Sequence, residues 1–219
     1  MTRIHAGALL ERPPGPKYAT ALGFAELALP RPLPTDKTLR KWREELPEDL
    51  VLSLVVPTEA IKGAGAPLRF DDALEAGLAR ARAAASILEA KFVVFTTGGD
   101  VTTGPRDRKL LRAWVERWAE DPVTIVWQPT GLWDPEQAIP FAHELGVLYG
   151  FDPLDADYLP GGDVIYARLR AFGMRKRFHE SLLEEVVDAI EQTDAEDAYV
   201  ALESPSSFRE ASRLALLCT

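Results

Sequence analysis

Tyr166, Arg168 and Arg170 fall at every second position of the run Val164–Arg170, with Ile165, Ala167 and Leu169 between them. In a strand that spacing puts a phenol and two guanidiniums on one face and three aliphatic side chains on the other. Phe24, Glu26 and Ala28 alternate with Ala25 and Leu27 in the same way, and Glu203 ends the run Tyr199–Leu202. Two arginines and two glutamates on buried faces must find partners, because an unpaired buried charge costs several kcal/mol. Glu26 with Arg168 and Glu203 with Arg170 are the economical pairings. The group can serve as an internal ion-pair network, or as a site in which guanidinium forks receive a phosphate or carboxylate. In the second case Glu26 or Glu203 could act as a general base and the arginines could stabilise developing negative charge. Pairing with arginine lowers a carboxylate's basicity, so that role requires one Glu to stand apart.

Other candidates lie at the ends of the apolar runs. Thr96-Thr97-Gly98-Gly99-Asp100 follows Phe92–Thr96 and offers hydroxyls and a carboxylate beside flexible backbone, so Thr97 and Asp100 are candidate ligand contacts. A simple turn is the alternative. Ser204-Pro205 reads as the start of the last helix, where Ser204 could contact an anion or merely cap the helix. Asp152, Asp155 and Asp157 hint at a hard-cation loop but lack the glycine and closing glutamate of an EF-hand, and read as solvated acids. Arg175-Lys176-Arg177, with Arg168 and Arg170, make five cations within ten residues. They could attract a polyanion or balance the acidic helix that follows. His5, at the end of the first run, could face the site; His179 could reach its rim; His143 lies away from it. There is no H-E-x-x-H, and the single cysteine, Cys218, cannot build a zinc cluster or an internal disulfide. No metal and no cofactor is expected.

The elements that position these residues alternate in type. Strand-like runs occur at Arg3–Ala6, Phe24–Leu29, Leu50–Val56, Phe92–Thr96, Val123–Trp127, Val147–Phe151, Val164–Leu169 and Tyr199–Leu202. Several are apolar on both faces, as parallel strands under helices are. Helix signals lie between them: Thr35-Asp36, Asp71-Asp72, Pro105, Asp134-Pro135 closing at Gly146, the stripe Leu182–Ile190, and Ser204-Pro205. Pro13–Pro16 and Pro30–Pro34 read as loops. Between Phe151 and Val164 there is no helical stripe. The pattern predicts a compact TIM-type (β/α)8 barrel over residues 1–219, its sixth helix missing or replaced by a loop. A doubly wound open sheet is the alternative.

Composition narrows the classes. The chain has 219 residues, 47% of them hydrophobic and 27% charged, with a net charge of −9. These are the proportions of a globular domain. No apolar run is long enough to cross a bilayer, and the first residues lack the apolar core of a signal peptide, so the cytoplasm is the default. The negative charge argues against nucleic-acid binding by the whole surface without excluding a local basic site.

Three segments carry a family resemblance: Phe24-Ala25-Glu26-Leu27 followed by Pro34 and Thr38–Trp42; Leu52–Pro57; and Val164–Arg170 followed by the Leu182–Ile190 helix and Ala198–Leu202. They resemble the YecE-like family, also called domain of unknown function 72, and the match threads from Arg3 to Leu217. The resemblance implies a (β/α)8 barrel. It also implies losses. Ala28 stands where that family has an asparagine, and Pro30, Arg31 and Pro32 replace Thr-Phe-Tyr. Val55 replaces a lysine, Thr96–Gly99 replace Gln-Leu-Pro-Pro, and Trp127–Thr130 replace Glu-x-Arg-His. Arg168 is kept, but Arg170-Ala171 replace His-Gly, and Leu202-Glu203-Ser204 replace Phe-Asn-Asn. The residues that build the barrel are kept and most of the polar mouth is not. The first expectation is therefore a mouth that binds a small anionic ligand with weak or lost catalysis. The alternatives are a hydrolase or lyase acting on a phosphate- or sugar-containing substrate, and a non-catalytic barrel acting through a protein partner; whether the chain is an enzyme stays open.

Overall fold

The structure, a computed structural model, describes residues 1–173 and 175–218. The elements run β1 (Arg3–Leu10), α1 (Pro16–Ala21), β2 (Phe24–Leu27), α2 (Asp36–Glu44), β3 (Val51–Val55), a 3-10 turn (Thr58–Ala60), α3 (Asp72–Ile87), β4 (Phe92–Thr97), α4 (Pro105–Glu116), β5 (Thr124–Pro129), α5 (Pro135–Leu145), β6 (Leu148–Phe151), β7 (Val164–Arg170), α6 (Glu180–Glu191), β8 (Asp197–Glu203) and α7 (Ser207–Leu217). Each strand pairs in parallel with the next. β8 pairs with β1, from Arg3 opposite Asp197 to Ala8 opposite Leu202, and so closes the sheet into an eight-stranded barrel. Closure decides between the barrel and the open sheet.

The caps read from sequence at Thr35 and Asp71 are in place, while Asp134 holds the N-cap position of α5 without a side-chain bond. The Thr35 hydroxyl accepts from Thr38 N at 3.3 Å and the Asp71 carboxylate from Leu74 N at 2.8 Å. Gly146 ends α5 with φ 70°, a conformation that costs glycine little. No helix stands between β6 and β7, where residues 152–163 form the connection.

The structure departs from expectation in three places. β1 runs to Leu10, well past Ala6, because Ala8 and Leu10 still pack on the core. A short helix, α1, begins at Pro16, at the end of a stretch read as loop; proline costs nothing in a first turn whose N–H has no helical partner. The last helix starts at Ser207, with Ser206 as its N-cap, so Pro205 lies in the turn before it.

Two apolar layers follow from the alternation. The larger lies between strands and helices and includes Leu54, Val93, Phe95, Ala167 and Leu169. The smaller fills the barrel with Phe24, Phe92, Val94, Val126, Tyr166, Tyr199 and Ala201. Its rings meet at edges, Phe24 to Tyr199 at 5.3 Å and Phe92 to Tyr166 at 5.3 Å. Four rings fit because small residues face them. A Cβ on Gly7 would lie 2.5 Å from the Phe24 carbonyl oxygen. This aromatic layer is the floor under the mouth.

No described helix is long and apolar enough to cross a membrane.

Candidate functional site at the barrel mouth

Immediately above the aromatic floor sits a buried polar cluster. Glu26 and Arg168 are 1% and 7% exposed. Arg168 Nη2 and Nε donate to Glu26 Oε1 at 2.8 and 3.0 Å, and its Nη1 donates to Gln128 Oε1 at 2.6 Å and to Thr96 Oγ1 at 3.5 Å. Tyr166 Oη lies 2.7 Å from Glu26 Oε2 and 2.8 Å from Ser53 Oγ. A phenol has one proton. Given to the carboxylate, it leaves the Ser53 hydroxyl to donate to the phenol oxygen. Burial and the Glu26 charge push the Tyr166 phenol well above its ordinary range. Burial pulls Arg168 the other way, but Glu26 more than offsets it, and the guanidinium holds its proton more firmly than usual. β2, β3, β4, β5 and β7 are thus tied together at one level.

Higher on β7, Arg170 stands directly opposite Glu203 in the ladder, and its Nε and Nη2 reach that carboxylate at 2.7 and 3.4 Å. Beyond β7, Arg175 reaches back across the mouth to Asp152 at 2.8 Å and Asp155 at 2.6 Å. Arg168, Arg170 and Arg175, with Gln128, Thr130, Asp152, Asp155 and Phe172, line a hollow of about 410 Å3. A slightly larger hollow of about 420 Å3, lined by Met1, Thr2, Glu191 and Thr193, opens at the opposite end of the barrel. Its lining brings carboxylates, Glu191 and Asp194, but no arginine, and it lies away from the mouth, where (β/α)8 proteins place their chemistry.

Asp152 departs from the solvated acid expected of it. Its side chain is only 17% exposed. Burial raises its carboxyl above the ordinary value, against the lowering by the Leu154 N–H and Arg175; Asp155 adds to the rise. Arg175, read as part of a solvated basic run, is its partner. Among the described residues no group of three His, Cys, Asp or Glu could hold a metal ion.

Several sequence candidates lie elsewhere. Thr97 faces outward from β4. Its hydroxyl accepts from Trp127 Nε1 at 3.0 Å and its carbonyl from the Thr130 hydroxyl at 2.8 Å, so it is a packing residue in this structure. Its neighbour Thr96 takes the inward position. Asp100 is exposed in the loop after β4 and does not line the hollow. Ser204 donates to Glu210, which also accepts from Phe178 N at 3.2 Å; the buried Glu210 carboxylate thus takes the place by α7 expected of an anion. His5 points away from the mouth: because β1 continues to Leu10, His5 lies low in the barrel, stacked on Tyr199 at 4.5 Å and 2.7 Å from Asp197. Gln128, Ser53 and Thr96 were legible from strand parity, since they alternate with outward apolar neighbours. Phe172, Asp152 and Arg175 sit in loops, where parity says nothing.

No protein-family model matches the sequence, and no curated protein matches it. The architecture does have solved relatives. A DUF72 family protein from Enterococcus faecalis V583 is similar with a TM-score of 0.70 and 13% identity, over 100% of this chain and 94% of the other. A DUF72 family protein from Thermotoga maritima MSB8 is similar with a TM-score of 0.61 and 13% identity, over 91% and 85%. D-psicose 3-epimerase from Clostridium cellulolyticum H10 follows with a TM-score of 0.57 and 10% identity, over 99% and 96%. At these identities the likeness is one of fold: the chain is a (β/α)8 barrel, built as the DUF72 proteins are.

Proposed function

We propose that this chain is a divergent member of the YecE-like family whose mouth binds a small anionic ligand, with catalysis weak or lost. The observation that carries the reading is the lining of the mouth, which gathers three arginines in a chain of net charge −9, with Asp152 and Asp155 beside them and Glu26 and Glu203 paired behind. All three arginines are paired with carboxylates; Arg170 and Arg175 are the direct contacts because their side chains are 55% and 21% exposed, whereas that of Arg168 is 8% exposed. Weak catalysis follows from the carboxylates. Glu26 and Glu203, the two candidate bases, are both held by arginine. A catalytic reading finds better support in Asp152, which Arg175 also holds but whose carboxyl burial nevertheless raises, and which lines the hollow. The single cysteine fits a reducing compartment such as the cytoplasm.

The test is a thermal-shift screen against phosphorylated metabolites, sugar acids, nucleotides, oligonucleotides and neutral sugars, run on the wild type and on Arg170→Ala/Arg175→Ala. A ligand at about a hundred times its Kd adds roughly 2.7 kcal/mol. For a chain of this size that raises Tm by about 5–11 °C. Anionic hits that vanish in the folded double variant support the reading. A screen without anionic hits, or hits that survive in the variant, contradicts it and redirects the search to protein partners.

A further inference from the structure

A bare phosphate leaves most of the hollow unfilled. Its volume of about 410 Å3 lies within the range of whole small-molecule sites, about 300–1,000 Å3. Its walls also differ in chemistry. Arg170, paired with Glu203, and Arg175, paired with Asp152 and Asp155, bring two guanidiniums to the hollow. Phe172, between them in sequence, is 84% exposed and lines the same space. Among the described residues it packs on neither apolar layer, so these layers give its ring no partner. The rest of the lining is polar and incompletely used. Among the described residues, Gln128 Oε1 accepts from Arg168 while its Nε2 remains free to donate. The Thr130 hydroxyl donates to the Thr97 carbonyl and can still accept. Asp152 is held by Arg175 and the Leu154 N–H and has lone pairs to spare.

Two guanidiniums, an exposed aromatic face and a set of neighbouring donors and acceptors suit a ligand with three matching parts. We propose that the ligand is a monosaccharide carrying a phosphate or carboxylate. Its anionic group meets Arg170 and Arg175, the C–H face of its ring lies on Phe172, and its hydroxyls reach Gln128, Thr130 and Asp152. A nucleotide fits less well, because the lining offers one aromatic ring and no second to sandwich a base. This inference rests on the anion site proposed above and adds the class of ligand.

Isothermal titration calorimetry with glucose 6-phosphate, ribose 5-phosphate, glucuronate, inorganic phosphate, glucose and AMP tests it. At least one anionic sugar binds about tenfold more tightly than either inorganic phosphate or glucose. Phe172→Ala, at an exposed position that leaves the fold intact, weakens that sugar by about tenfold and changes phosphate binding by less than about twofold. Arg175→Met, shown folded by circular dichroism, weakens both. Phosphate binding as tightly as every sugar, or an inert Phe172→Ala, overturns the ligand class and leaves the anion site standing. AMP binding more tightly than every anionic sugar also overturns the class. Glucose binding as well as the anions, or no binding by any probe, overturns both readings.

Discussion

Removing Glu26 while keeping Arg168 strands a charge over an aromatic floor. The guanidinium loses two hydrogen bonds, at 2.8 and 3.0 Å, and Tyr166 loses the acceptor of its phenolic proton. Arg168 is 7% exposed, at the base of the hollow, so the stranded guanidinium stays largely out of water. Breaking such a pair from one side costs about 3–5 kcal/mol. Gln128 and Thr96 still hold Nη1, which places Glu26→Ala toward the lower end of that range. With Tm moving about 2–4 °C per kcal/mol in a domain of this length, the melting temperature falls by about 6–20 °C. Arg168→Met costs a similar amount, for it leaves Glu26 buried beside a phenol. The Glu26→Leu/Arg168→Met double variant removes both charges and keeps the volume, so its cost falls well short of the sum of the singles. Urea denaturation of the two singles and the double, at constant m-value, measures this coupling. Singles that cost less than about 1 kcal/mol, or costs that add to within about 0.5 kcal/mol, would refute the claim that the pair is buried and interdependent.

Four further expectations follow from single sites. Tyr18 Oη accepts from Ala8 N and donates to the Phe24 carbonyl, each at 2.7 Å, so Tyr18→Phe orphans two buried backbone groups and lowers stability by about 1–3 kcal/mol in denaturant melts. Gly7→Ala drives a methyl group against Phe24 and costs about 1–3 kcal/mol, seen as a lower Tm with quenched packing of the barrel aromatics in near-UV circular dichroism. Asp152 titrates above 3.8 in carboxyl-carbon NMR, and Arg175→Met moves it higher by removing a lowering charge. Its folded value exceeds its unfolded one, so its contribution to stability declines as pH rises from about 3.8 through the folded pKa. Asp197 has the opposite sign. Its carboxyl is lowered by His5 and Arg3, so its stabilisation is present above 3.8 and lost as pH falls through the folded value. Asp197→Asn therefore flattens the acid limb of the stability profile.

The barrel was legible in the sequence because period-2 and helical patterns are written by burial itself. Alternation in Val164–Arg170 and Phe24–Leu27 was enough to pair Glu26 with Arg168 and Glu203 with Arg170, the contacts the structure contains. The same rule applied one residue earlier in β4 finds Thr96 in place of Thr97, since Thr96 keeps step with the inward Phe92 and Val94. His5 lies low because β1 does not end with the run Arg3–Ala6: backbone pairing carries it on through Gly7 and Ala8 to Leu10. Ser204 was read as a cap over an open helix end; a buried glutamate one turn into α7 is the competitor that local sequence could not weigh. The part of the mouth built by loops, with Asp152 against Arg175 and Phe172 beside them, depends on how two connections fold toward each other. No periodicity records that.

The central claim is that the mouth receives an anion through Arg170 and Arg175. Side-chain Nε–Hε resonances of arginine, followed by NMR during titration with glucose 6-phosphate and with inorganic phosphate, address it most directly. The account expects saturable shifts at Arg170 and Arg175 that share one dissociation constant, with Arg168 moving little because Glu26 already holds it. Shifts confined to Arg177 and Arg209, in the separate cleft by α6 and α7, or no saturable shift at either mouth arginine, would contradict it.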